Sequence, residues 1–122
     1  MYTVVVKLDF TASHQLTLGD GTQEPLHEHR WHVEAAVEAE QLDKLGLVMD
    51  FHKLETHLRN IVDKLSGSQL EQTGYFGDRN SSAETVAKYV YDLLGPKIPA
   101  GRRLCWVQVT EAPGCKARYS EG

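Results

Sequence analysis

The most informative segment of the chain is Glu24-Pro25-Leu26-His27-Glu28-His29-Arg30-Trp31-His32, which leads directly into an alternation of apolar and polar residues from Val33 to Ala39. This alternation predicts a strand, and successive side chains of a strand point to opposite faces. His27 and His29, two residues apart, are therefore expected on the same face. Two imidazoles placed in this way can bind one divalent ion.

A third imidazole is available at His14, shortly after the first strand-like run, Tyr2 to Phe10. Zinc held by three histidines keeps a fourth position open for water or substrate, which is typical of a catalytic site. The alternative is that His27 and His29 are a chance pair of structural histidines, because so short a motif is weakly specific. The pattern by itself leaves both interpretations open.

The composition is that of an ordinary folded domain. The chain has 122 residues, of which 41% are hydrophobic and 25% charged, and this predicts one domain spanning residues 1–122. The formal net charge is −4 and no basic block is present, so no nucleic-acid partner is expected. No apolar run reaches the length of a membrane span, and the strand pattern begins at residue 2 without a signal peptide. Because Cys105 and Cys115 show no disulfide-like spacing either, a cytoplasmic protein is predicted.

Four runs of residues predict β-strands. The first is Tyr2 to Phe10 and the second extends from about Trp31 to Glu40. The turn signal Gly19-Asp20-Gly21 lies between them, so the two strands are expected to form a hairpin. Near the other end of the chain, Leu104 to Thr110 alternates again, and Lys116 to Tyr119 predicts a short fourth strand.

Two helices are predicted between the strand pairs. The first follows Asp50 as N-cap and carries an apolar stripe from Phe51 to Leu65. A polar loop, residues 66 to 80, separates it from the second helix. There the segment Ser81 to Glu84 has the spacing of a capping box with Ser81 at the N-cap, and Gly95-Pro96 ends the helix.

The order ββααββ predicts an α+β fold in which two helices cover one face of a four-stranded antiparallel sheet. Such a sheet has two free edges, and each edge presents unpaired backbone groups to other chains. Several copies joined edge to edge in a ring satisfy these groups. A homo-oligomer with sites between its subunits is therefore expected.

Segments along the whole chain resemble the 6-pyruvoyl-tetrahydropterin synthase and 6-carboxytetrahydropterin synthase family. Phe10 to His14, followed by Leu26 to Trp31, is similar to the metal signature of the family, in which a histidine near the end of the first strand joins an HGHNY-like segment. Further family landmarks are matched in the right order. They are Val48-Met49-Asp50-Phe51, Ser82-Ala83-Glu84 and Val109-Thr110-Glu111.

The resemblance implies the T-fold, a ββααββ subunit of which three copies close a twelve-stranded barrel and two barrels stack into a hexamer. It also implies a zinc ion bound by His14, His27 and His29, and a pterin pocket at the subunit interfaces. Glu111 matches the glutamate that anchors the pterin ring, and Ser82 fits the substrate-side start of a helix, although a helix cap explains this segment without a ligand. A carboxylate can accept from the ring N–H and the exocyclic amine of a pterin or a similar purine-like molecule together.

Three catalytic positions of the family differ in this chain. Gln23 stands in the place of a cysteine, and Ser66 and Gly67 stand in the places of an acid and a histidine that follow the first helix. Neither Ser66 nor Gly67 can shuttle a proton near neutral pH, so the usual general acid-base route is closed. The expected protein is a pterin-binding homologue that does not catalyse the standard synthase reaction, and that either runs a related lyase step or only binds.

One alternative gives the chain an enzymatic role. A branch of the family carries a glutamate in place of the cysteine and cleaves the carbon side chain of its substrate, which yields 6-hydroxymethyl-dihydropterin for folate synthesis. Glu24, three residues before His27, is the matching candidate for the catalytic base, since a desolvated glutamate beside a metal-bound substrate can accept a proton. The other interpretation of Glu24 is a surface acid without a catalytic role.

Overall fold

A computed structural model covers residues 1–122 and shows a four-stranded antiparallel sheet with two helices on one face. The strands are β1 (Tyr2–His14), β2 (His27–Ala39), β3 (Arg103–Ala112) and β4 (Cys115–Tyr119), and their order in the sheet follows the sequence. The helices are α1 (Phe51–Val62) and α2 (Ala83–Leu94). The predicted order ββααββ is confirmed.

β1 and β2 form the predicted hairpin, and both strands extend further toward their connecting loop than the alternation indicates. β1 continues past Phe10 to His14, and β2 begins at His27 rather than near Trp31. These extensions are mostly polar, which is why the apolar pattern does not reveal them. The predicted histidines consequently lie within regular sheet and not in a loop.

The end of β1 is also paired on its outer side. The N–H of Ser13 donates to the Ser68 carbonyl at 3.0 Å, and the N–H of Gly67 donates to the Thr11 carbonyl at 2.7 Å. The loop after α1 therefore satisfies backbone groups that a free edge exposes. This pairing extends β1 as far as His14.

The core lies between one face of the sheet and both helices. Leu54 and Leu58 of α1 and Val86 and Val90 of α2 are fully buried there. The strands contribute alternate apolar residues to the same cluster, including Val6, Leu8, Phe10, Val33, Val107 and Val109. Neither helix has the length and apolar character that a membrane crossing requires.

One helix begins where the sequence predicts, and the other begins one residue later. α1 begins as predicted, because the Asp50 carboxylate accepts the N–H of His52 at 2.8 Å. In α2 the N-cap is Ser82, whose hydroxyl oxygen accepts the N–H of Thr85 at 3.2 Å. The prediction of Ser81 as the cap is wrong by one residue, since Ser81 is fully buried and contacts other groups.

The face of the sheet that no helix covers carries paired polar side chains. Arg30 donates to Asp9 at 2.9 Å, and His32 contacts the other oxygen of the same carboxylate. Because strand side chains alternate, this polar face is separated by the sheet from His27 and His29.

The packing of the two helices predicts that two leucine truncations differ strongly in their effect on the free energy of unfolding. Leu58→Ala removes a fully buried side chain and is expected to lower the free energy of unfolding by about 2–5 kcal/mol. Leu93→Ala, in α2, truncates a side chain that is 40% exposed and is expected to cost about 0.5 kcal/mol. Urea unfolding at one fixed protein concentration measures both values, and equal costs would contradict this description of the core.

Candidate metal centre

Three histidines meet where the β1–β2 hairpin opens. His14, the last residue of β1, is paired with His27, the first residue of β2, and Ala12 is paired with His29. The three imidazoles therefore share the core side of the sheet. Their ring centroids are 4.5 Å apart for His14 and His27, 4.5 Å for His27 and His29, and 5.7 Å for His14 and His29. The structure thus brings together all three histidines that the sequence predicts as ligands.

Glu111, near the end of β3, joins this group. One ligand atom from each of His14, His27, His29 and Glu111 lies within 4.8 Å of the others. The Glu111 Oε1 atom is 2.9 Å from His14 Nε2. The sequence predicts Glu111 as the anchor of a heterocycle, and its contact with a histidine is not part of that prediction.

Backbone carbonyl groups orient two of the imidazoles. His14 Nδ1 lies 2.8 Å from the Ser81 carbonyl oxygen, and His27 Nδ1 lies 2.9 Å from the Pro25 carbonyl oxygen. A carbonyl oxygen only accepts, so the proton of each neutral ring is on Nδ1. The Nε2 atoms of His14 and His27 are then free to act as ligands. Hydrogen bonds of this kind orient metal-binding histidines and fix their tautomer.

The environment of His14 Nε2 shows that the group is suited to a metal ion. The side chain is 0% exposed, and this nitrogen has no hydrogen-bond partner, because the nearby Glu111 oxygen lies outside the direction of a hydrogen bond. A buried polar atom left without a partner costs about 1–3 kcal/mol. A cation bound to His14 Nε2 removes this cost. Three imidazoles with a carboxylate are a donor set that zinc accepts.

Glu71 holds Ser81 in place behind His14. The Ser81 hydroxyl donates to Glu71 Oε1 at 2.7 Å, and the same oxygen accepts the N–H of Gln15 at 2.7 Å. The second carboxylate oxygen accepts from the Gln69 side chain at 2.9 Å. Burial raises the pKa of Glu71, but the hydrogen bonds outweigh it and the net pKa lies below its ordinary value. An ionised carboxylate therefore fixes the residue whose carbonyl orients the His14 ring.

Trp31 closes the inner side of the histidine group. Its ring is fully buried, meets the His14 ring edge-on at 4.9 Å and stacks on Phe10 at 5.9 Å. The indole N–H donates to the Ala12 carbonyl at 3.1 Å, so its one polar atom is satisfied. Water consequently has no access to His14 from this side.

Glu24 lies at the rim of the group. Its Oε1 atom is 3.7 Å from His27 Nε2, and the same oxygen accepts the N–H of Leu16 at 3.3 Å. The Glu24 side chain is 28% exposed and is therefore partly desolvated. The structure places this candidate base near the histidine ligand atoms, at a distance too long for a direct hydrogen bond.

The positions of the three replaced catalytic residues offer no acid or base. Gln23, Ser66 and Gly67 are all exposed. Gly67 has a φ of +75°, a conformation that strains any residue with a side chain. A histidine at position 67 is therefore disfavoured by the backbone itself.

A cavity of about 300 Å³ adjoins Glu111. Ser82 and Glu84 from the start of α2 line it together with Cys115 and Lys116 from β4. Ser82 thus lies where the sequence predicts a substrate contact, although its hydroxyl group already caps α2. Glu111 is the side chain that belongs both to this cavity and to the histidine group.

The two cysteines are both free thiols and occupy different environments. Cys105 is buried in β3, and burial raises the pKa of its thiol to about 11, so it is protonated at neutral pH. Cys115, the first residue of β4, is exposed.

Alanine substitutions at the adjacent residues Ser81 and Ser82 are expected to affect zinc binding differently. Ser81→Ala removes a donor to Glu71 and loosens the carbonyl that orients His14, so zinc affinity is expected to fall about tenfold. Ser82→Ala removes the cap of α2 and is expected to cost about 1 kcal/mol of stability with zinc affinity unchanged. Competition against a chromophoric chelator measures the affinities, and equal affinities in the two variants would contradict the role of Ser81.

The lowered pKa of Glu71 predicts how stability depends on pH. Its carboxylate contributes stability fully above the ordinary glutamate value of 4.5, and this contribution is lost as the pH falls through the lower value of the folded state. The metal-free Glu71→Gln variant is therefore expected to be less stable than the wild type at neutral pH, with a difference that shrinks below pH 4.5. Denaturant unfolding with a chelator present measures this, and a difference independent of pH would contradict the ionised state of Glu71.

Comparison with known proteins identifies the family. The family model for 6-pyruvoyl tetrahydropterin synthase matches residues 3–122. The 6-carboxy-5,6,7,8-tetrahydropterin synthase of Rickettsia felis is 27% identical, over 89% of this chain and 93% of that protein.

Solved structures show the same fold. The 6-pyruvoyl tetrahydropterin synthase of Caenorhabditis elegans matches with a TM-score of 0.84 and 20% identity, over 99% of this chain and 96% of the other. A Plasmodium vivax 6-pyruvoyltetrahydropterin synthase in which a catalytic glutamate is replaced by alanine matches with a TM-score of 0.78 and 16% identity, over 98% and 97%. These matches confirm the predicted T-fold subunit. With the family match over nearly its whole length, the chain belongs to the 6-pyruvoyl tetrahydropterin synthase family.

Proposed function

We propose that this chain binds a pterin, or a similar purine-like heterocycle, beside a zinc ion held by His14, His27 and His29, and that it does not catalyse the standard synthase reaction. One observation carries the proposal. The Glu111 carboxylate lies between the histidine group and the cavity of about 300 Å³. A heterocycle in that cavity can donate to Glu111 while its side chain extends toward the metal.

The absence of a proton shuttle supports the second half of the proposal. The standard reaction requires protons to be moved at the substrate side chain, and Gln23, Ser66 and Gly67 offer no group that titrates near neutral pH. The positive φ of Gly67 also disfavours any residue with a side chain at this position, including a histidine. The proposed metal ligands and the proposed anchor are thus present without the acid-base groups that accompany them in the family.

The arrangement of the sheet supports a homo-oligomer, proposed as a hexamer of two stacked trimers. The outer edges of β1 and β4 pair with no other strand of the chain. Joining β4 of one copy to the free part of β1 of the next closes a ring and removes both edges.

Glu24 supports a second candidate function, cleavage of the substrate side chain to 6-hydroxymethyl-dihydropterin. Its carboxylate lies 3.7 Å from His27 Nε2 and is partly desolvated, as a base acting on a metal-bound substrate requires. The Plasmodium vivax relative also carries a glutamate described as catalytic. In this candidate function Glu24 accepts the proton that the residues at positions 66 and 67 cannot.

Incubation with 7,8-dihydroneopterin triphosphate distinguishes the candidates. No pyruvoyl- or carboxy-tetrahydropterin is expected by chromatography, and formation of either would overturn the main proposal. Cleavage through Glu24 would instead give 6-hydroxymethyl-dihydropterin, lost about 100-fold or more in Glu24→Gln. Glu28→Gln is the matched control, because this exposed residue of β2 points to the opposite face of the sheet from His27.

Pterin binding is tested separately with Glu111→Ala. Removal of two charge-assisted hydrogen bonds, each contributing about 1.5–3 kcal/mol, is expected to weaken neopterin binding about 100-fold or more. Quenching of pterin fluorescence measures the affinity. A wild-type protein that binds no pterin would leave only a structural oligomer and would overturn both candidate functions.

A further inference from the structure

We propose that Glu111 is itself a fourth ligand of the metal in the resting protein, and that a heterocycle binds by drawing this carboxylate away from the metal. The inference rests on the metal and anchor roles proposed above. With three histidine ligands alone, one coordination position of zinc is open to water. A fourth protein ligand closes that position.

The contact between Glu111 and His14 is the first observation. Glu111 Oε1 lies 2.9 Å from His14 Nε2. The hydrogen bond of His14 Nδ1 to the Ser81 carbonyl keeps the ring proton on the opposite nitrogen. Two atoms with lone pairs therefore lie at hydrogen-bond distance from each other without a proton between them. Such a contact is repulsive unless a cation neutralises it.

The direction of this contact is the second observation. If His14 were doubly protonated, its Nε2–H would donate to the nearby carboxylate. The Glu111 oxygen lies outside the direction of such a bond, and Nε2 has no hydrogen-bond partner in the chain. Ligand atoms of His27 and His29 lie within 4.8 Å of both atoms. A metal ion bound among these four residues would satisfy His14 Nε2 and the Glu111 carboxylate together.

The freedom of the Glu111 side chain is the third observation. Glu71 is held by hydrogen bonds from Gln15, Gln69 and Ser81. Glu111 forms no ion pair other than that with His14, and its side chain is 26% exposed toward the cavity. It can therefore rotate between the metal and a ligand in the cavity without breaking other bonds. The metal site and the ligand cavity would therefore compete for the same carboxylate.

Cobalt(II) replacement tests the coordination directly, without pterin. The visible absorption of protein-bound Co²⁺ depends on the number and type of its ligands, and azide is a small anion that enters an open position. The wild-type spectrum is expected not to respond to azide. Glu111→Ala is expected to show an azide-dependent spectrum and at least tenfold weaker zinc binding.

Two further variants make this test specific. Glu111→Gln keeps the size of the side chain and supplies a weaker neutral oxygen, so it is expected to fold as the wild type does and to admit azide. Glu28→Gln removes an exposed carboxylate of β2 that points to the opposite face of the sheet from His27 and His29, and it is expected to respond to azide and to bind zinc as the wild type does. An azide response in the wild type equal to that of Glu111→Ala, or equal zinc affinity in all four proteins, would overturn the inference.

Titration of neopterin into the cobalt-loaded wild type tests the displacement. The spectrum is expected to shift toward that of Glu111→Ala as the carboxylate leaves the metal. Binding measured by pterin fluorescence with no spectral change would overturn displacement. Absence of pterin binding would overturn the proposed function, and the azide result would still decide whether Glu111 is a ligand.

Discussion

The pairing register of β1 and β2 is the constraint on which the site depends. It places His14 opposite His27 and Ala12 opposite His29, so that three imidazoles occupy one face of the sheet. Side chains alternate with a period of two residues, so a slip by one residue in either strand would turn its histidines to the polar face. The same register buries Trp31 beneath the site and Val33 in the core. The same alternation of side chains along β1 and β2 therefore positions both the apolar core and the histidine group.

His14 connects this sheet to the rest of the molecule. A fully buried imidazole needs partners for both nitrogens, because an unsatisfied polar group in the interior is costly. The Ser81 carbonyl supplies one partner, and Glu71 holds Ser81 from the loop that precedes α2. A metal ion bound to Nε2 would supply the other. Formation of the site is therefore part of folding, since its innermost ligand also joins the sheet to the start of α2.

Much of the fold and part of the site could be predicted from the sequence. Strand alternation correctly predicted the shared face of His27 and His29, and Asp50 was correctly predicted as the first helix cap. The extension of β1 to His14 was missed because its last residues are polar and are stabilised by a distant loop. The cap of α2 was misplaced because the capping-box spacing to Glu84 favours Ser81, whereas the Ser81 hydroxyl is engaged by the remote Glu71 and Ser82 caps the helix instead. Contacts between distant segments leave no local pattern.

The position of Glu111 illustrates the same limit and also explains the chemistry. The register of β3 against β4 shifts between Thr110 and Ala112, and sequence spacing does not reveal such a shift at Glu111. The side chains of the candidate metal group differ in freedom, because His14 is fixed by its buried partners while Glu111 contacts no charged group other than His14. A site that is rigid on the metal side and mobile on the cavity side is suited to exchanging one ligand for another. This property does not depend on an acid-base group at positions 23, 66 or 67, so it is compatible with the proposed binding of a heterocycle beside a metal ion.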